Sequence, residues 1–155
     1  LNLDAYGKLQ ANSGEAISIK KRPLWIPVST GIIVSGDKVL IGMRPKEKNL
    51  PGLWEFPGGK IELGESPEQA LVRELDEELG IQSKADQLLM AVTHDYSGAG
   101  ILLLFYLVKF WQGEPKNLHH EEIKWVKWNE LSNYDLPDAN KKLLPELIKA
   151  VMSLS

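Results

Sequence analysis

The run Ser66-Pro67-Glu68-Gln69, followed by leucines at regular spacing and closed by Gly80, constrains this chain more than any other segment. Serine can cap a helix, proline loses nothing in a first turn, and glutamine three residues after the serine can reach back, so a helix is predicted to begin at Pro67. Gly80, free to adopt a left-handed conformation, ends it. Leu71, Leu75 and Leu79 recur at every fourth position and, with Val72, form an apolar stripe that can pack on a sheet. Glu74, Glu77 and Glu78 follow an i, i+3, i+4 pattern, which at about 100° per residue gathers all three carboxylates within roughly a 100° arc. Like charges so placed repel one another unless they are solvated or neutralised. A hard divalent cation such as Mg²⁺ would neutralise them, because it takes oxygen ligands and bridges carboxylates to phosphates. The wet face of a surface helix has the same spacing, and the helix alone does not separate the two readings.

The segments around the helix read as strands. Val28 to Val34 and Val39 to Met43 are rich in β-branched residues and flank Gly36-Asp37, which predicts a hairpin. Arg44-Pro45 ends the second strand; Trp54-Glu55-Phe56 reads as a short strand and Pro57-Gly58-Gly59 as a turn. Gln87 to His94 and Ile101 to Trp111 are two further strands joined through Ser97-Gly98-Ala99-Gly100, and Ile123 to Trp128 is another. The expected sheet is mixed or largely antiparallel. Leu143, Leu144, Leu147, Ile148 and Val151 predict a closing helix with Asp138 as its N-cap, in which Pro145 either delays the start or makes a kink. Residues 1–22 are polar and aperiodic, with a basic trio Lys20-Lys21-Arg22, and are expected to form an extension outside the core, mobile or covering a sheet edge. Residues 23–155 then make one domain, and a chain of 155 residues can bury a sizeable core.

Composition narrows the function. The net charge of −3 argues against an extended duplex nucleic-acid surface, so phosphate groups must be held by a few local residues or by metal. Cysteine is absent, which excludes disulfides, thiolate metal sites and a cysteine nucleophile and makes a cytoplasmic location the simplest expectation. The apolar run Ile101 to Val108 is too short to span a bilayer, and the start of the chain has no basic segment followed by an apolar one, so neither a membrane span nor an export signal is expected.

Gly59, Glu65, Arg73, Glu74, Leu75, Glu77, Glu78, Gly80 and Ile81 fill every specified position of the box that marks the Nudix hydrolases, which this chain resembles. With ordinary residue usage near 7%, a chance match at a given start is on the order of 10⁻⁹. The resemblance implies an α+β Nudix fold, an α/β/α sandwich around a mixed sheet. It implies that Glu74, Glu77 and Glu78 are metal ligands, that Arg73 orients a carboxylate through paired hydrogen bonds and that Glu65 supports the cluster. Gly58 and Gly59 let the loop pass close to helix and metal. A further carboxylate from outside the box is expected at Glu121 or Glu122, with His119 and His120 as neighbours; Glu121 is carried forward, and Gly59, Glu74, Glu77, Glu78 and Glu121 make the implied metal site. The implied reaction is attack of a metal-activated water on a pyrophosphate linkage, with Mg²⁺ as cofactor and Mn²⁺ able to substitute.

The similarity to the MutT-like branch, the 8-oxo-dGTP diphosphatases, extends over roughly residues 25 to 150. It rests on Trp54-Glu55-Phe56-Pro57-Gly58-Gly59-Lys60-Ile61-Glu62, on Trp111-Gln112-Gly113-Glu114-Pro115 and on Leu136-Pro137-Asp138-Ala139-Asn140. It implies that Asn140 reads the purine edge, for which an amide offers donors and an acceptor. Phe56 would line the base pocket and Arg44 would reach phosphate or base; a helix cap, a core aromatic and a surface cation are the alternatives for these three. The expected partner is a nucleotide, with the 5′ end of RNA as the runner-up substrate and nucleotide sugars or ADP-ribose behind it. A non-catalytic nucleotide-binding module is the alternative from another class. The assembly is expected to be a monomer or homodimer.

Overall fold

The computed structural model describes residues 2–3, 9–10, 16–17, 22–49, 51–96 and 98–154. Most of the expected extension over residues 1–22 lies outside these. Within it β1 (Asn2–Leu3), β2 (Leu9–Gln10) and β3 (Ala16–Ile17) pair as a small antiparallel sheet of their own.

The predicted hairpin forms. β4 (Leu24–Ser35) and β5 (Lys38–Met43) run antiparallel with Val34 opposite Val39, and Gly36 supplies the left-handed residue of the turn at φ 60°. β4 starts earlier than its β-branched core suggests, because its first ten residues pair in parallel with β10 (Ala99–Val108), from Leu24 opposite Ala99 to Ile33 opposite Val108. β9 (Gln87–Tyr96) lies antiparallel on β10, and β12 (Ile123–Lys127) lies antiparallel on β5, giving the order β12-β5-β4-β10-β9. β6 (Trp54–Glu55) pairs with β5 and β7 (Gly58–Lys60) with β4. One parallel pair among antiparallel neighbours makes the sheet mixed.

Alternation along the central strands sorts two cores, since successive side chains point to opposite faces. Ile33, Leu40, Tyr106 and Val108 meet Leu71, Leu75 and Leu79 of α1 (Pro67–Leu79). Ile32, Val39, Ile41, Phe105 and Leu107 face the other way, onto Trp128 and Leu131 of a 3-10 helix (Trp128–Asn133) and onto Leu144, Leu147 and Val151 of α2 (Asp138–Ser153). A helix therefore covers each face, and the molecule is the α/β/α sandwich expected.

α1 carries its predicted ends. The Ser66 hydroxyl accepts from the Gln69 N–H at 3.1 Å, the Gln69 side chain accepts from the Ser66 N–H at 2.8 Å, and Gly80 takes φ 66°. Elsewhere local reading is corrected. Pro57-Gly58-Gly59 is no turn, because Gly58 and Gly59 belong to β7 opposite Thr30 and Ser29. The strand expected to reach Trp111 stops at Val108, where the Lys109 N–H turns to the Asp86 carboxylate at 2.8 Å. Trp111 instead opens β11 (Trp111–Gln112), which pairs with β8 (Gln82–Ser83), and its ring stacks on Trp125 with centroids 5.9 Å apart. Asp138 is not the cap of α2: Pro137 holds that position, and Asp138 sits in the first turn, where its charge suits the helix dipole. Pro145 does not delay the start. Its missing N–H leaves the Lys141 carbonyl without a helical donor, while Leu144, Leu147 and Val151, buried against the sheet, hold the helix together on either side.

Candidate active site

β7 delivers Gly58 and Gly59 to the side of α1 that carries the acidic residues. One guanidinium organises that side. Arg73 donates to both oxygens of Glu65, at 2.7 and 3.0 Å, to Glu74 Oε1 at 2.9 Å, to Glu77 Oε2 at 3.3 Å and to the Lys60 carbonyl at 3.0 Å. The planar fork suits such divided work, which an ammonium could not copy. The hydrogen bonds from Arg73 and from the Glu62 backbone hold the Glu65 carboxyl below the usual carboxylate range, and the same pairing raises Arg73.

Gly59 has no side chain because Glu74 occupies the space: a Cβ there would lie 2.4 Å from the Glu74 carboxyl carbon. Gly58 faces a different limit, since its φ is 155° and a Cβ would meet the Ser29 carbonyl oxygen at 2.1 Å. The Gly58 N–H donates to Glu78 Oε2 at 3.2 Å. Glu78 is buried, and burial, followed by the charges of Glu74 and Glu55, pushes its carboxyl up to about 8. Glu74, Glu77 and Glu78 with Gly59 thus line one cleft of about 550 Å³, and a buried carboxylate beside two others suits a divalent cation. Arg44, Lys48, Glu55 and His119 line it as well.

Glu121 does not join them. It is exposed, and its Oε1 accepts from the Lys46 N–H at 3.3 Å, away from the cleft. Glu55 stands in the cleft instead, contacting Arg44 Nη1 at 3.1 Å and lying 3.3 Å from His120 Nε2. Sequence reading passed over Glu55. The available signal was a carboxylate between two buried aromatics, Trp54 and Phe56, which points it to the face opposite theirs. The His119 ring is half-buried in the cleft with its pKa lowered, by burial first and then by neighbouring cations.

A second cavity of about 550 Å³ opens next to the first. Phe56, Leu103, Phe105 and Leu136 give it apolar walls, and Asn140, in the first turn of α2, stands at its edge with Asp135 and Asp138. Phe56 serves core and pocket together: it is buried, packs edge-on to Phe105 at 6.4 Å, and lines the cavity. The two cavities share Val28, Arg44, Glu55 and Gly58. Arg44 therefore sits at the junction, held by the Asn49 carbonyl at 2.8 Å and by Glu55.

Residues 29–146 match the NUDIX domain family. The 8-oxo-dGTP diphosphatase of Escherichia coli K12 is 36% identical over 123 residues, covering 79% of this chain and 95% of that protein. The CTP pyrophosphohydrolase of the same organism is 38% identical over 119 residues, covering 77% and 88%. Among solved structures, the MutT NUDIX hydrolase from Burkholderia pseudomallei aligns with a TM-score of 0.71 at 30% identity, over 79% of this chain and 97% of that one. The matched span runs from β4 through the acidic helix and into α2, taking in all the lining residues of both cavities but Val28, and so the chain belongs to the NUDIX domain family as a pyrophosphohydrolase.

Proposed function

We propose that this hydrolase cleaves a nucleoside triphosphate to its monophosphate and pyrophosphate, with 8-oxo-dGTP as its substrate and Mg²⁺ as its cation. The observation that carries the reading is the continuity of the two cavities through Arg44, Glu55 and Gly58. A nucleotide has the same layout, a polyanion joined to a flat base with apolar faces. Glu74, Glu77, Glu78 and Gly59 would hold the cation, and Mn²⁺, which also accepts oxygen donors, would substitute. Bound there, the metal supplies a water acidic enough to act as nucleophile near neutral pH and neutralises phosphate charge. The protein's own part is placement. Arg73 fixes Glu65, Glu74 and Glu77, the Gly58 N–H fixes Glu78, and Arg44 meets the phosphates where the cavities join. Phe56 and Phe105 provide an apolar slot for the base, and the Asn140 amide reads donors and acceptors on its edge. Water adds to phosphorus, the bridging P–O bond breaks, and monophosphate and pyrophosphate leave.

The E. coli 8-oxo-dGTP diphosphatase relative supports this substrate. The CTP pyrophosphohydrolase, at 38% identity, favours a second reading in which the slot takes a pyrimidine triphosphate. A single nucleotide as partner, residues 23–155 as the working domain, a monomer or homodimer, and action in the cytoplasm complete the proposal; no helix of the described residues is long and apolar enough to cross a membrane. The test is a Mg²⁺-dependent turnover panel of 8-oxo-dGTP, dGTP, CTP, 5′-triphosphorylated RNA, ADP-ribose and a nucleotide sugar, with products separated by chromatography. A kcat/KM for 8-oxo-dGTP well above that for dGTP supports the reading. Preference for CTP selects the second, preference for RNA or a sugar nucleotide overturns both, and no turnover of any member would point to a binding module.

A further inference from the structure

His120 is fully buried, with 0% of its side chain exposed, yet neither ring nitrogen has a hydrogen-bond partner. Buried polar atoms are normally satisfied, so a buried imidazole with both nitrogens unpartnered calls for a ligand to explain it. The ring is packed against Gly42, where a Cβ would approach it to 2.5 Å. Its Nε2 lies 3.3 Å from Glu55 Oε1 without the geometry of a hydrogen bond. The His119 ring meets it edge-on at 4.9 Å, and His119 Nε2 lies 3.8 Å from Glu78 Oε1. One ligand atom from each of Glu78, His119 and His120 lies within 4.8 Å of the others.

We propose that Glu78, His119 and His120 form a site for a borderline divalent cation of the Zn²⁺ type, with Glu55 placed to complete four-coordination. A tetrahedral site with ligands at about 2.0–2.1 Å has edges of about 3.4 Å. The 3.3 Å and 3.8 Å separations lie near that edge, and the three ligand atoms, within 4.8 Å of one another, would close on the ion by a turn of the partly exposed His119 ring. Two imidazoles select the class of metal, because Mg²⁺ prefers oxygen, whereas Zn²⁺ and Co²⁺ accept nitrogen with oxygen. The site goes beyond the Mg²⁺ reading and shares Glu78 with it, so Zn²⁺ bound there withdraws one carboxylate from the acidic cluster.

The experiment titrates Co²⁺ into the full chain and follows visible absorption, with no substrate present, so failure of the turnover panel leaves it unaffected. The wild-type protein should develop the intense bands of four-coordinate Co²⁺, saturating at a single equivalent and displaced by Zn²⁺. H119Q, checked for folding by circular dichroism, should lose them, and E114Q, exposed and lining neither cavity, should keep them. Ring NMR of the wild-type protein needs no variant: Zn²⁺ should shift His119 and His120 and leave His94, in the neighbouring cavity, unmoved. A weak six-coordinate spectrum, bands that survive H119Q, bands that vanish in E114Q, or unshifted His119 and His120 resonances would overturn the proposal.

Discussion

Replacing Gly59 by alanine probes how tightly the β7 strand and the acidic helix are fitted. The new Cβ would lie 2.4 Å from the Glu74 carboxyl carbon and 2.5 and 2.6 Å from its oxygens. Contact between carbon atoms is comfortable only from about 3.5 Å, so the carboxylate must retreat by about 1 Å. Arg73 resists, since its Nη1 holds Glu74 Oε1 at 2.9 Å. A displacement of that size at a group proposed to hold the metal costs on the order of 10²-fold in turnover, which is about 2.7 kcal/mol of transition-state stabilisation. Stability should hardly change, because position 59 is not among the positive-φ glycines and the atoms in the way end a side chain. Gly58→Ala offers the contrast: its Cβ would strike the Ser29 carbonyl oxygen at 2.1 Å and the Thr30 Cα at 2.8 Å, both backbone of β4. That variant should lose about 1–3 kcal/mol of stability, the ordinary range for overpacking. The assay is kcat/KM in Mg²⁺ with the best substrate of the panel, beside urea unfolding followed by circular dichroism. A G59A enzyme with wild-type turnover would refute the placement of Glu74, and a G59A protein as destabilised as G58A would refute the claim that only a side chain stands in the way.

Three further outcomes are expected. Ser66→Ala removes the acceptor for the Gln69 N–H and should lower unfolding free energy by about 1 kcal/mol in urea titrations, with the folded structure unchanged. Asn140→Ala should reduce the ratio of kcat/KM for 8-oxo-dGTP over dGTP on the order of tenfold, as the loss of one or two net hydrogen bonds implies, with little change in melting temperature; an unchanged ratio would remove Asn140 from base reading. The Tyr106 hydroxyl donates to Glu68 Oε1 at 2.9 Å, and burial, reinforced by that bond, pushes its pKa up to about 12. Because the folded value is raised, its stabilisation is present below the ordinary tyrosine value near 10 and is lost as pH rises through the folded one. The stability difference between wild type and Tyr106→Phe should therefore hold at neutral pH and fade from about pH 10 to 12; a difference independent of pH over that window would count against the assignment.

Spacing along the chain was sufficient for everything that one helix or one strand decides. The capping box at Ser66, the left-handed stop at Gly80 and the separation of α1 into a leucine stripe and a glutamate face follow from a period of 3.6 residues, and the structure shows them as read. The two faces of the hairpin likewise follow from a period of two. Asp138 misled because capping was judged on residue type, whereas the chain before it enters through Pro137 and leaves Asp138 already inside the first turn.

What spacing could not supply was proximity across the sheet. The parallel register that sets Leu24 against Ala99 and the antiparallel one that sets Thr30 against Gly58 join residues far apart in sequence. Those registers, with the pairing of β6 on β5, carry Glu55 to Glu78 and turn Glu121 away, although a carboxylate was sought at Glu121 or Glu122, just before the strand at Ile123. The same packing puts His120 in the space left by Gly42 and leaves its ring nitrogens unpartnered. Local periodicity assigns each side chain to a face; which faces meet depends on strand order and register, and those are settled by burying both cores at once.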